Sequence, residues 1–411
     1  MITIPANASL IITKLEEAHF EAYVVGGYVR DALLDYNPQD CDIATSANPL
    51  QILDVFAAYP CLKTGIRHGT ITVLIDHQAI EVTTFRTEGA YRDLRHPDQV
   101  TFVADLQKDI ARRDFTINGL AYHPQFGLID YCGGLQDLHN HLIRCINDPH
   151  QRFQEDGLRM MRALRFSSFY QFAIEEKTAQ AIHQHSGLLK KISQERITAE
   201  LLKLLSGADC AKVIETYFDV IVQILPEFMV LAPAQATKYL PYLTRTDQSI
   251  IRLMIFLKVL DEAQDELFPS ALRRLRLSNR VSRRLKLLHH FSYAALQIDR
   301  ISLKRLLKET DVSGVQDIAA YQHAVGLVTD EESGRIMAIV KSIRQNNECY
   351  SLKQLAVNGN DIRMLVGADT PQIKEVLDSI LMLVIEEKAV NDHEVLIMKA
   401  AELLKKDVNN D

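Results

Sequence analysis

The chain has 411 residues, 47% of them apolar and 24% charged, with a formal net charge of −7. A single core stops growing near ~250–300 residues, so two to four domains are expected, and the composition matches ordinary soluble proteins. No apolar run approaches the ~20 residues of a membrane span, and the net charge argues against a protein that coats nucleic acid by global charge, although a local basic patch still binds phosphates.

The N-terminal stretch MITIPANASLIITKLEEAHF lacks a basic start, a continuous apolar run and a small-residue cleavage site, which argues against secretion. Six cysteines, Cys41, Cys61, Cys132, Cys145, Cys210 and Cys349, form no CxxC pair. Neither a zinc site nor a disulfide framework is indicated, and a reducing cytoplasm fits.

From Glu21 to about Tyr122 short β-rich runs alternate with turn signals. YVVGG, CDIATS, GTITVLI and AIEVTTFR read as strands, with Asp76-His77-Gln78 a hairpin connection between the last two. Gly26-Gly27 ends the first strand and leads into a helix over VRDALLD. Glycine permits close backbone approach, and a helix start offers free N–H groups to an anionic phosphate. GxGxxG is absent, so this is no dinucleotide fingerprint.

In Gln39-Asp40-Cys41-Asp42-Ile43, read as a strand, Asp40 and Asp42 share one face while Cys41 and Ile43 point to the core. Two carboxylates so close repel, and a hard divalent cation relieves the repulsion. Glu81 alternates with Ile80 and Val82 and so faces away from them, either as a third carboxylate at the metals or as part of a solvated strand face. Between Arg86 and Phe102 lies TEGAYRDLRHPDQVT, rich in charge and turn formers.

The segment Asp109 to Gly119 crowds Arg112, Arg113, Asp114 and Asn118 together. It suits planar, bidentate binding of phosphate, or else a salt-bridged helix surface. Beyond about Asp148 the periodicity becomes helical. Over Arg152 to Phe166, read as one helix, Asp156, Arg159, Arg162 and Arg165 recur every third residue and wind across one side. An amphipathic surface helix is the plain reading. The chemical one is that Asp156 accepts from an exocyclic amine while Arg159 donates to a ring nitrogen, which suits cytosine and adenine and mispairs with uracil and guanine.

Together these motifs resemble the class II tRNA nucleotidyltransferases, and within them the bacterial CCA-adding enzymes of Bacillus-like type. GGYVRD with DCDIATSA is similar to their metal-binding motif, RRDFTING to the second motif, IRCINDPHQRF to the segment before the template, EDGLRMMRALRF to the amino-acid template, and ERITAEL to the motif after it. LAVNGNDI extends the match towards the C-terminus.

The resemblance implies an α+β fold: a nucleotidyltransferase-type head with a small mixed β-sheet, then an all-helical neck, body and tail in a seahorse-like arrangement. The divisions expected are 1–147, 148–206, 207–310 and 311–411. It implies that Asp40 and Asp42 bind Mg2+, and Glu81 matches a family carboxylate. Gly27, Arg30, Arg113, Asp156, Arg159, Arg162 and Arg165 are implied to contact CTP or ATP. The implied reaction is two-metal, in-line attack of the tRNA 3′-hydroxyl on the α-phosphate, releasing pyrophosphate.

For tRNA the best patch is Arg273, Arg274, Arg276, Arg280, Arg283, Arg284 and Lys286, in a run from Ser270 to His290 without an acid. The 86–102 segment corresponds to a family loop that accompanies addition of the final A. Gly157 and Gly119 stand where the family commonly has alanine, each costing ~1 kcal/mol if mid-helix.

The nearest rival is a bacterial poly(A) polymerase, whose long basic C-terminal extension contrasts with the acidic VNND here. A non-catalytic RNA-binding module and an A-only enzyme are further alternatives. Neither Asp392-His393 nor His289-His290 makes a phosphohydrolase cluster. Monomer and homodimer both remain open.

Overall fold

The structure is a computed structural model that describes residues 2–38, 40–89, 100–366 and 370–407. Gln39, most of the expected loop between Arg86 and Phe102, and the acidic VNND lie outside the described residues. The chain forms two compact units, one of residues 1–240 and 260–277 and the other of 241–259 and 278–411.

The first unit opens with α1 (Ala6–Glu17), whose Ala8, Ile11, Ile12 and Leu15 are buried at helical spacing and face β1 (Ala22–Val25). There follow α2 (Gly27–Leu33), β2 (Ile43–Thr45), α3 (Pro49–Val55), β3 (Cys61–Leu62), β4 (Thr70–Ile75) and β5 (Gln78–Thr84). Next come β6 (Arg86–Glu88), β7 (Val100–Phe102), α4 (Leu106–Ala111), β8 (Leu120–His123) and β9 (Gly127–Asp130).

A seven-stranded sheet runs in the order β3, β4, β5, β2, β1, β8, β9. Only the β2 and β5 pair is parallel, so the head sheet is mixed as expected. In β4 the alternation TITVLI buries Ile71, Val73 and Ile75. The hairpin to β5 turns on two residues, Asp76 at φ +48° and His77 at φ +63°. Two left-handed residues match the strand twist, and an aspartate is a natural first member. β6 and β7 pair antiparallel at the base of the 86–102 segment.

Two local readings need correction. The strand holding Asp40 and Asp42 begins only at Ile43; Asp42 is nevertheless tied to the sheet, since its carbonyl accepts from the Val25 N–H at 3.1 Å. Of the two side chains expected to point inward, Ile43 is fully buried and Cys41 half-buried. The template segment is two helices rather than one, α5 (Pro149–Glu155) and α6 (Leu158–Tyr170), because Asp156 takes an extended conformation at φ −135° and ψ 102°.

Gly157 therefore sits at the N-terminal boundary of α6 and Gly119 closes a short 3-10 turn, so neither bears a mid-helix penalty. A Cβ on Gly119 would come 2.6 Å from Cys132 Sγ, which accounts for glycine there. Helices α7 (Glu176–His185) and α8 (Gln194–Ser206) follow, and α6 packs on α8.

The second unit is helical throughout its described residues. Its last three helices, Gly359–Val366, Thr370–Ile385 and His393–Asp407, close over a core that includes Val357, Ile362 and Leu396. The apolar run from Ile380 contributes Ile380, Leu381, Val384 and Ile385 to that core, as its composition suggests. No helix among the described residues is long and apolar enough to cross a membrane.

Candidate active site

One cleft of about 930 Å³ in the first unit gathers all ten candidate residues outside the basic run: Gly27, Arg30, Asp40, Asp42, Glu81, Arg113, Asp156, Arg159, Arg162 and Arg165. Its floor is the end of the sheet. Gly26 leaves β1 at φ +70°, and a Cβ there would come 3.0 Å from Arg113 Nη1. Glycine both adopts the turn and keeps that guanidinium close to the start of α2.

On the acidic side, β2 runs parallel to β5 with Ile43 opposite Val82, which sets Asp42 beside Glu81. All three carboxylates, Asp40, Asp42 and Glu81, are solvent-exposed within the cleft, so Glu81 lies on an open strand face with Asp42 beside it. The enclosing walls raise the Asp42 carboxyl above its ordinary range; Glu81 and Asp40 push the same way, and Arg113 opposes them. Among the described residues none of the three forms an ion pair, and no set of three acidic, histidine or cysteine side chains converges tightly enough to enclose a metal.

On the basic side every arginine has a carboxylate. Arg30, almost fully buried, pairs with Asp31 at 2.9 Å and donates to Asn118 Oδ1. Arg112 joins Asp109 at 2.7 Å and Glu88 at 3.1 Å, and Arg113 joins Asp109 at 3.0 Å. Burial alone would raise Asp109; Arg113 and Arg112 outweigh it and hold the carboxyl below its usual range.

Asp114 is buried too, yet is held far lower by Arg162, whose Nε donates to it at 2.7 Å, by Asn118 at 2.9 Å and by the Phe115 N–H at 2.8 Å. A relay therefore runs from Arg30 through Asn118 and Asp114 to Arg162.

At the break before α6, Asp156 accepts from the Leu158 N–H at 3.0 Å through Oδ1 and from Arg196 Nη2 at 2.9 Å through Oδ2. Arg159 donates to Glu155 at 2.8 Å, to the Arg152 carbonyl at 3.2 Å and to the Arg112 carbonyl at 3.1 Å. The two template groups are thus pinned separately, each by its own neighbours. Arg165 lies 3.3 Å from Glu200 and stacks 4.1 Å over Phe166. Asp109, Asn118, Asp114 and Arg196 sit inside the quoted segments; Asp109 holds neighbours three and four residues on, whereas Asn118, Asp114 and Arg196 each meet a partner distant in sequence, Arg30, Arg162 and Asp156.

The chain matches the family model "Poly A polymerase head domain" over residues 22–144 and "Probable RNA and SrmB- binding site of polymerase A" over residues 171–229. It is 50% identical over 213 residues to the CCA-adding enzyme of Lactobacillus helveticus (strain DPC 4571), a match that spans 52% of this chain and about half, 53%, of that relative's length. With the CCA-adding enzyme of Limosilactobacillus fermentum (strain NBRC 3956 / LMG 18251) it shares 36% identity over 98% of this chain and 99% of the other. The chain belongs to the CCA-adding enzyme family.

The crystal structure of the Bacillus stearothermophilus CCA-adding enzyme in complex with CTP superposes on it with a TM-score of 0.81 at 29% identity, covering 100% of both chains. The family thus extends over both units, and the cleft lies in the unit that contains both model matches.

The basic run is less uniform than it reads. Arg274 pairs with buried Glu227 at 2.9 Å, Arg276 with Glu195 at 2.8 Å, and Arg284 with Asp317. Arg273, Arg280, Arg283 and Lys286 are exposed and form no ion pair among the described residues. The run is also divided, with Arg273, Arg274 and Arg276 in the first unit and Arg280, Arg283, Arg284 and Lys286 in the second.

Proposed function

We propose that this protein is a template-independent nucleotidyltransferase that builds and repairs the 3′-terminal CCA of tRNA from CTP and ATP. The observation that supports the reading is that one cleft gathers Asp40, Asp42 and Glu81, which form no ion pair among the described residues, with Asp156 and Arg159, which we take as the pair that reads the base.

The acidic group fits Mg2+. Its donors are all carboxylate oxygens, and an open set with few protein ligands suits an ion that keeps waters and substrate phosphates in its shell. Asp40 and Asp42, with Glu81 beside them, would hold it. Bound there, divalent metal neutralises charge on the transferring phosphate and favours the attacking alkoxide.

The chain's own residues do the rest. Arg30 and Arg113, oriented by Asn118 and Asp109, present fixed donors to the triphosphate beside the start of α2. Arg162 and Arg165 extend that cationic wall along α6. Each Asp156 oxygen uses one lone pair on the protein and keeps another for an exocyclic amine, and Arg159 donates to the adjacent ring nitrogen. The tRNA 3′-hydroxyl gives up its proton to water, its oxygen bonds to the α-phosphorus as the bond to the bridging oxygen of the β-phosphate breaks, and pyrophosphate leaves with that electron pair.

The helical regions after residue 148 would take the tRNA, with Arg273, Arg280, Arg283 and Lys286 as backbone contacts. The six cysteines, all unpaired, accord with a reducing cytoplasm.

The test is incubation with tRNA lacking its terminal CCA, supplied with CTP, ATP or both, and sequencing of the 3′ ends. Addition of C, C and A in order, then a stop, is expected. Open-ended A tails, or A alone on a tRNA lacking both C residues, would overturn the reading.

A further inference from the structure

Beside the cleft lies a group of aromatic rings that the transfer chemistry does not use. Tyr36, in the segment leading to Asp40, has its ring 5.9 Å from Phe169 and 5.5 Å from Tyr170, and Phe169 and Tyr170 are 5.0 Å apart. The inner rings are occupied on the protein side, since the Arg30 guanidinium lies 4.8 Å over Tyr170 and 5.0 Å over Phe166. The outer two are open, with Tyr36 44% and Phe169 42% exposed.

A hollow of about 200 Å³ adjoins Phe169, bordered also by Tyr170, Arg165, Lys203 and Ser206, while Tyr36 and the other side of the aromatic group line the main cleft. Lys203 is exposed and has no ion pair among the described residues, whereas Arg165 is engaged by Glu200.

We infer that Tyr36 and Phe169, with Lys203, seat the last nucleotide of the growing RNA strand, its base against the rings and its phosphate at the ammonium. This rests on the transfer reading above. Open aromatic faces beside an unpaired cation are what single-stranded nucleic acid uses, because every base has a π-face and every linkage a charge. The occupant changes with each round, from the unextended end to C and then to C again. A seat that reads stacking rather than base edges accepts all of these, while base choice stays with Asp156 and Arg159. The hollow is small for a nucleoside triphosphate and shares Arg30, Arg165, Phe166, Phe169 and Tyr170 with the cleft, so a strand seated here has its end open to the cleft that holds the acidic group.

The test measures KM for tRNA lacking CCA and KM for CTP separately in the full-length protein. Phe169→Ala and Tyr36→Ala are expected to raise KM for the tRNA about 5- to 150-fold, the range of one lost stacking contact, with KM for CTP within twofold of wild type. Phe169→Tyr should restore the tRNA value and Phe169→Leu should not, which separates stacking from simple packing. With 2-aminopurine as the terminal RNA base, fluorescence should be quenched on the wild-type protein and recover on Phe169→Ala.

An unchanged tRNA KM and retained quenching in Phe169→Ala would overturn the seat while leaving the transferase reading intact. A rise confined to KM for CTP would overturn it in favour of a nucleotide contact. Failure of the wild-type protein to extend any tRNA would refute the transferase reading itself.

Discussion

The two sides of the cleft are built on opposite electrostatic plans. Eight arginines line it, Arg30, Arg86, Arg112, Arg113, Arg159, Arg162, Arg165 and Arg196, and each is joined to a carboxylate. Asp40, Asp42 and Glu81 have no such partner among the described residues, and the enclosing cleft walls together with the neighbouring carboxylates raise Asp42. A paired arginine keeps its donors in a fixed plane and can bind phosphate or base without first being ordered. An unpaired carboxylate cluster is destabilised until a cation arrives, so under the proposed function binding free energy would be held in reserve for a metal.

The largest effect is expected where that reserve is removed. Asp42→Ala should lower incorporation of both CTP and ATP by at least ~10³-fold, while tRNA affinity in a filter or gel-shift assay stays near wild type. Turnover within tenfold of wild type would break the contrast.

The same plan predicts a gain in stability without metal. Because the folded Asp42 carboxyl is raised, its contribution is present below the pKa of the unfolded chain and is lost as pH rises through the higher folded value. Asp42→Asn should therefore melt higher than wild type in EDTA at pH 7, with the gap closing in acid and on adding Mg2+. Equal melting temperatures at pH 7 would show that the carboxylates carry no strain.

Next in size is the pair proposed to read the base. Asp156→Ala removes the acceptor that rejects a carbonyl, and discrimination against UTP should fall by about 10- to 100-fold in competition assays. If UTP and GTP were still excluded to the wild-type degree, base choice would have to lie elsewhere in the cleft. Asp114→Asn tests the relay instead. It loosens Arg162 and leaves Asn118 without its charged acceptor, so KM for CTP and ATP should rise together by about tenfold without any change in base preference.

Much of this was legible before any coordinates, for local reasons. Period-two alternation in TITVLI and the Asp76-His77 turn depend on neighbours along the chain, and both formed as read. The misreadings concern partners far apart in sequence. Asp42 reads as strand because the register that begins at Ile43 is set by Val24 and Val82, on strands distant in sequence. Asp156 reads as helix because EDGLRMMRALRF is periodic throughout; the break follows from its carboxylate serving Leu158 and Arg196, forty residues apart in the latter case. The basic run looked uniform because Glu195, Glu227 and Asp317, which neutralise part of it, lie outside the run.

That run supplies the smallest and most discriminating comparison. Arg280, Arg283 and Lys286 stand at three-residue spacing on the helix Asn279–His290, with no ion pair among the described residues. If they meet RNA phosphates, changing all three to Gln should lower the slope of log affinity against log salt by about two to three. Arg274 is a different case. Its guanidinium and Ser270 satisfy buried Glu227, so Arg274→Gln should cost about 1–3 kcal/mol of stability and leave the salt slope nearly unchanged. A slope that fell equally for both variants would mean that the pair with Glu227 opens when RNA binds. In that case the paired arginines of the second comparison would behave like the unpaired ones, and fixed pairing would be a property of the cleft alone.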